Sequence, residues 1–163
     1  MSTTPQITER ADQPYVAIRA NVTMAQLPGF ADRLGEVFGW LAEHGVAPAG
    51  PPFFRYNVID MERQLNVEAG VPVPTAAEGD DRVIAGVLPA GRYATAIHVG
   101  HYDGLIGAVD NLLQWADSQG LEWDKSSADD GEHWGCRLEI YLTDPSQQPD
   151  PTKWETQLAF RLR

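Results

Sequence analysis

Cysteine occurs once in this chain of 163 residues, at position 136, so no disulfide can form within it. Basic residues are scarce: 12 Lys and Arg stand against 23 Asp and Glu, a formal net charge of -11. Gripping nucleic-acid phosphates needs clustered Lys and Arg, so direct binding of nucleic acid is not expected. The acidity serves solubility. No apolar run approaches the length that spans a bilayer, so no membrane partner is expected. The first twenty residues mix acidic and polar groups without an apolar core, so no signal peptide is expected and the expected location is cytoplasmic.

Signatures of metal and cofactor chemistry are also missing. His98 and His101 are close in sequence, but Gly100 and an expected strand-to-helix junction lie between them. There is no His-Glu-x-x-His helix and no cysteine pair, so no metal site is expected. Gly100, Gly104 and Gly107 do not follow dinucleotide spacing, and no phosphate-binding loop or Gly-x-Ser-x-Gly elbow occurs, so no cofactor is expected. Cys136 reads as a small strand residue, since no local signature of a nucleophile accompanies it.

What the chain does have is an internal repeat. Residues 15–73 read strand, helix, strand, strand, and residues 91–162 read the same way. Trp40 precedes Gly45 by five residues, and Trp115 precedes Gly120 by five. Tyr15–Ala20 alternates as a strand should. Thr23 and Gln26 have the spacing of a capping box, and Leu27, Phe30, Leu34, Val37, Phe38 and Leu41 follow at helical spacing. Pro51 and Pro52 separate this helix from a hairpin of Phe53–Asp60 and Gln64–Val73. A further strand, Arg82–Leu88, leads through Pro89-Ala90-Gly91 into the second half.

There Tyr93–Val99, a helix over Asp103–Gln119, and the strands Trp134–Thr143 and Trp154–Leu162 repeat the pattern. Residues 1–6 read as a loose end, and Glu122–His133 as an acidic loop. The fold class expected is α+β. Duplicated β-α-β-β units would form one antiparallel sheet, with two helices on one face and a ligand cleft at the pseudo-twofold seam. The chain 1–163 reads as a single domain, with repeat 1 at about 12–88 and repeat 2 at about 89–163.

Alternation assigns side chains to faces. Leu138, Ile140 and Leu142 oppose Glu139 and Tyr141. Phe54, Tyr56 and Val58 oppose Phe53, Arg55 and Asn57. Val67, Ala69, Val71 and Val73 oppose Asn66, Glu68 and Gly70. Leu158, Phe160 and Leu162 oppose Glu155, Gln157 and Arg161. With the apolar sets under the helices, Glu68, Glu139 and Glu155 would share the other face. Superposing the repeats places Arg55 on Glu139 and Asn57 on Tyr141. Carboxylates among rings suit a flat, cationic or hydrogen-bond-donating ligand, with cation–π attraction of roughly 0.5–2 kcal/mol per ring. The candidate ligand-binding residues are Glu139, Tyr141, Glu68, Arg55, Trp115, Trp134, Tyr15 and Glu155.

Four motifs carry a family resemblance. They are Asn66-Val67-Glu68-Ala69-Gly70-Val71-Pro72-Val73, Leu88-Pro89-Ala90-Gly91-Arg92-Tyr93-Ala94, His98-Val99-Gly100-His101-Tyr102 and Leu138-Glu139-Ile140-Tyr141-Leu142-Thr143-Asp144-Pro145. In this order, across residues 12–162, they resemble the gyrase-inhibitor-like (GyrI-like) small-molecule-binding domains. Such domains also serve as effector-binding halves of AraC-type and multidrug-sensing regulators. The chain departs from the pattern at its close, Leu158–Arg163, where the family has a Pro-Val-like ending.

The resemblance implies a sheet with two helices, a cleft at the seam and a buried acidic residue that maps onto Glu139. With no room for a helix-turn-helix before Tyr15, it also implies a standalone module without a DNA-binding domain. Three functions stay open: binding of small aromatic or cationic compounds for sensing, sequestration or resistance; hydrolysis of strained cyclopropane-bearing electrophiles, with Glu139 and Tyr141 catalytic; and association with a protein such as a topoisomerase through the acidic surface. An exposed sheet edge would allow a homodimer.

Overall fold

The computed structural model describes residues 2–163. Its strands are β1 (Gln6–Arg10), β2 (Gln13–Val22), β3 (Phe53–Ile59), β4 (Leu65–Pro72), β5 (Ile84–Leu88), β6 (Gly91–Val99), β7 (Lys125–Ala128), β8 (Gly131–Trp134), β9 (Arg137–Tyr141) and β10 (Glu155–Arg161). The helices are α1 (Leu27–Phe30), α2 (Arg33–Glu43) and α3 (Leu105–Ser118). The strands form one curled sheet of mostly antiparallel pairs, in the order β1-β6-β10-β9-β3-β4-β2-β5, with the β7/β8 hairpin attached to β3.

That order reads outward from a centre. β3 and β9, the corresponding strands of the two repeats, pair antiparallel, with Phe53, Phe54 and Arg55 opposite Ile140, Glu139 and Leu138. β4 and β2 follow on one side, β10 and β6 on the other. Both long helices end in the same cap. Gly45 and Gly120 have φ of 66° and 70°, a left-handed conformation that glycine adopts without steric cost. Val46 N–H bonds Leu41 O at 2.9 Å, and Leu121 N–H bonds Ala116 O at 3.0 Å. Thr23 and Gln26 make the reciprocal bonds of a capping box in the turn before the helix: Thr23 N–H donates to Gln26 Oε1 at 3.0 Å, and Gln26 N–H to Thr23 Oγ1 at 3.3 Å. The turn leads into α1, and the chain re-enters helix at Arg33.

Both helices cover one face. α2 sets Val37, Trp40 and Leu41 against Val16 and Val71. α3 sets Leu105, Ala108, Leu112 and Ala116 against Ala94, Ala96, Leu158 and Phe160. Fully burying a side chain such as Leu112 contributes about 1.5–3 kcal/mol. The opposite face is buried as well: Tyr15, Phe53, Tyr93, Cys136, Leu138, Ile140 and Ala159 form a second core inside the curl.

This second core corrects one expectation. Val67, Ala69 and Val71 of β4 and Leu158 and Phe160 of β10 do lie under the helices, but Leu138 and Ile140 of β9 do not. They fill the inner core, which turns Glu139 and Tyr141 toward the helices. Register shows the same thing in a single row across the sheet, Ile18–Ala69–Phe54–Glu139–Leu158–Ala96, in which one carboxylate sits among apolar residues. Glu68 and Arg55 pair on the other face. Glu68 and Glu139 therefore do not share a face. Under the seam's symmetry Phe54 corresponds to Glu139 and Tyr56 to Tyr141, one residue away from the superposition that alternation suggests. Two further differences concern polar segments. In the segment 1–6 read as a loose end, Ser2 bridges to His98, Thr3 N–H donates to Ile97 O at 2.8 Å and Gln6 opens β1, which pairs with β6, and the acidic loop folds as β7 and β8.

Candidate functional site

α2 packs on β2 and β4 and α3 on β6, so the central strands β3 and β9 lie in the trough between them. Glu139 rises from its floor. Its Oε1 accepts two hydrogen bonds, from Tyr56 Oη at 2.9 Å and Tyr141 Oη at 3.1 Å. Oε2 accepts none among the described residues. Among the described residues, the buried side-chain polar atoms without a partner are Arg55 Nε, Trp134 Nε1 and Thr156 Oγ1. Oε2 is not one of them, so it keeps contact with solvent.

Rings wall the carboxylate. Phe54 meets Tyr141 edge-on at 5.4 Å between centroids, Tyr102 meets Tyr141 at 5.8 Å, and Trp154 lies 4.9 Å from Tyr102. Phe30 of α1 continues the wall at 5.4 Å from Phe54, and Tyr56 lies 6.4 Å from Phe54 on its other side. Tyr102 stands in a 3-10 turn, Tyr102–Gly104, that leads from β6 into α3. Trp154 follows a second such turn, Pro151–Lys153, and its indole N–H is tied to Gln148 O at 2.7 Å.

Burial pushes the Glu139 carboxyl above the ordinary range, against the opposing pull of the two tyrosine hydrogen bonds and the Arg137 charge. Burial likewise holds the Tyr56 and Tyr141 phenols well above 10, and the neighbouring carboxylate adds to this. Both phenols are therefore donors at physiological pH. The arrangement presents one accessible oxygen of a carboxylate whose other oxygen is held by two neutral donors, inside an aromatic enclosure.

The remaining candidates lie elsewhere. On the opposite face Tyr15 Oη donates to Glu68 Oε1 at 2.6 Å, and Asn57 Nδ2 to Glu68 Oε2 at 2.7 Å. Arg55 donates to Tyr15 Oη at 3.1 Å and to Gly135 O at 2.9 Å. These groups bond one another and leave Arg55 Nε without a partner. Glu155 is exposed at the start of β10. Trp115 is half-buried on α3, against the core beneath that helix. Trp134 is buried with Trp123 and Phe160. Of the eight candidates, only Glu139 and Tyr141 are joined by a hydrogen bond in the trough.

The sequence matches the GyrI-like small-molecule-binding domain over residues 3–163. The chain belongs to the GyrI-like family. Among solved structures, this GyrI-like chain is similar to the C-terminal domain of EcmrR, with 19% identity, a TM-score of 0.77, and coverage of 98% of this chain and 97% of that one. Against the longer EcmrR chain in its DNA complex, where the TM-score is 0.80, it covers 57% of that chain. SAV2435 bound to tetraphenylphosphonium is similar with a TM-score of 0.65 and 11% identity, over 99% of this chain and 94% of that one. A hydrolase from Listeria innocua is similar with a TM-score of 0.66 and 16% identity, over 98% of this chain and 91% of that one. At such identities the likeness establishes the fold alone. No curated protein matches the sequence.

In this GyrI-like chain, residue-by-residue reading misses Phe54, Tyr56, Tyr102, Trp154 and Arg137. Tyr56 was within reach, since it is the repeat counterpart of Tyr141 once the seam is registered through Phe54 and Glu139. Tyr102 closes the His-x-Gly-x-Tyr motif. Nothing in the local sequence marks Trp154, which arrives after a proline-rich link.

Proposed function

We propose that this GyrI-like domain binds small aromatic cations in the trough over Glu139. The observation that carries the reading is the divided carboxylate: Oε1 fixed by Tyr56 and Tyr141, Oε2 free to face a ligand. A cation there gains a charge partner, and its flat parts gain the faces of Phe54, Tyr102, Tyr141 and Trp154. Each ring contributes roughly 0.5–2 kcal/mol where the cation is desolvated. The similar SAV2435, whose bound group is a lipophilic aromatic cation, supports the same class of ligand. Sensing, sequestration and resistance all rest on this one property. We propose that Tyr15, Arg55 and Glu68 hold the inner face of the sheet together.

A second reading uses the same atom. A carboxylate with a raised pKa and a free oxygen can take a proton from water. The water oxygen would then bond to a carbon of a strained ring while a ring bond breaks, with a tyrosine phenol protonating the departing side.

Calorimetric titration with tetraphenylphosphonium, with mass spectrometry of the recovered compound, tests the first reading. Saturable binding with unchanged mass is expected, and Glu139→Gln weakens it about ten- to a hundredfold, since a charged contact contributes roughly 1.5–3 kcal/mol. Absence of saturable binding, or equal affinity in the variant, overturns it. Repeated gain of water by a strained electrophile, lost in Glu139→Gln, establishes the second.

A further inference from the structure

Two residues before Glu139 on the same strand, Arg137 turns toward the same face. It sits opposite Phe160 across β9 and β10. Its guanidinium carbon lies 4.5 Å from the Phe160 ring centroid and 4.7 Å from that of Trp134. It is half-buried. Among the described residues it makes no hydrogen bond and no ion pair. Glu132 is within electrostatic range, but its Oε2 is bound by Lys125 Nζ at 2.6 Å. Glu139 and Tyr56 are also in range, yet the tyrosines occupy Glu139 Oε1.

A guanidinium carries five N–H donors in one plane. Stacking on rings satisfies its faces and leaves those donors unspent. Its nitrogens are not among the buried atoms without a partner, so they reach solvent and stand open to an anionic group of a ligand. Other arginines that reach inward are engaged: Arg55 donates to Tyr15 Oη and Gly135 O, and Arg161 pairs with Asp124 at 2.8 Å. Arg10 likewise stacks on a ring, Tyr93, at 5.6 Å without a hydrogen bond among the described residues, but beside the inner core, whereas Arg137 stands beside the proposed ligand carboxylate.

From this we infer that the site has two poles, and that Arg137 binds an anionic group, a carboxylate or a phosphate, on the same ligand whose cationic or donor group meets Glu139. The inference rests on the proposed binding of ligands over Glu139 and deepens it. Alternate residues on one strand face are spaced by two rises, which places the ligand's opposite charges about 7 Å apart on a flat aromatic frame. A zwitterionic aromatic compound fits this site better than a simple cation does.

A xanthylium dye bearing a free carboxylate, and the methyl ester of the same dye, isolate the second pole, because both keep the cationic ring system. By fluorescence anisotropy with the wild-type protein, the acid is expected to bind about tenfold more tightly than its ester, as a charge-assisted contact would give. Arg137→Gln abolishes that preference, while Arg137→Lys retains part of it. Equal affinity of acid and ester for the wild-type protein overturns the inference, and this comparison needs no variant to fold. Persistence of the preference in Arg137→Gln also overturns it. If the ester binds and Glu139→Gln weakens it, the aromatic-cation reading stands whatever Arg137 does. If neither dye binds, that reading falls and the second pole falls with it.

Discussion

Tyr56 and Tyr141 come from corresponding strands of the two repeats and converge on a single atom, Oε1 of Glu139, at 2.9 and 3.1 Å. One repeat supplies a tyrosine alone, and the other supplies both the tyrosine and the carboxylate. The two halves thus place a symmetric pair of donors around an asymmetric acceptor. Tyr56→Phe and Tyr141→Phe each remove one donor to a charged oxygen, and each is expected to weaken aromatic-cation binding several-fold. The double variant departs from the sum because the two donors share one acceptor. A calorimetric double-mutant cycle measures the coupling, and strict additivity would count against the shared-atom arrangement.

Cation affinity should rise with pH. Burial raises the Glu139 pKa above that of an ordinary glutamate, so the native protein holds this proton to a higher pH than the unfolded chain does. For stability the sign is therefore negative. Between the unfolded and native pKa values the folded state binds more protons, and this group's contribution to stability falls as pH rises through that window. For a cation the sign reverses, because only the ionised carboxylate attracts it. Titrating affinity across about pH 4 to 8 should show a rise that is absent in Glu139→Gln. A flat profile in the wild type would show that the carboxylate is not the partner.

Tyr15→Phe tests the opposite face. It removes the 2.6 Å donor from Glu68 Oε1 inside the curl and leaves a buried carboxylate short of one partner. A loss of about 1–3 kcal/mol in denaturant unfolding is expected, with cation affinity unchanged. A selective loss of affinity without loss of stability would move the ligand to that face.

Gly70 allows β4 to lie against the Phe53 ring. A Cβ there would come within 2.6 Å of Phe53 Cζ, in a core where Phe53 is fully buried. Gly70→Ala should cost about 1–3 kcal/mol through overpacking, read as a lowered Tm. The trough lies on the other face, so a folded variant retains its affinity.

Much of this architecture was legible from punctuation. Gly45, Gly120, Pro51, Pro52 and Pro89-Ala90-Gly91 bound the elements because each has a backbone reason to stand where it does. The orientation of β9 was not legible. Alternation tells faces apart only when one of them is wet, and here Leu138 and Ile140 find a core inside the curl while Leu158 finds another beneath α3. Glu139 and Tyr141 then occupy positions that patterning alone would give to apolar residues. Such a local breach of the pattern marks sites that serve a ligand rather than the fold. The β7/β8 hairpin carried its signal in Asp129-Asp130-Gly131, masked by polar strands that lie near the surface.

Strand β1 has a consequence for how the halves can exist. It precedes the first repeat in the chain, yet it borders β6 of the second, while β5, at the end of the first repeat, lines that repeat's own outer flank. The two halves are thereby laced together by chain order. A fragment beginning at the second repeat would leave β6 with a bare row of amides and carbonyls, open to any passing strand. The carboxylate at the sheet's midline is held by a tyrosine from each half, so this pairing exists only where the two halves are joined.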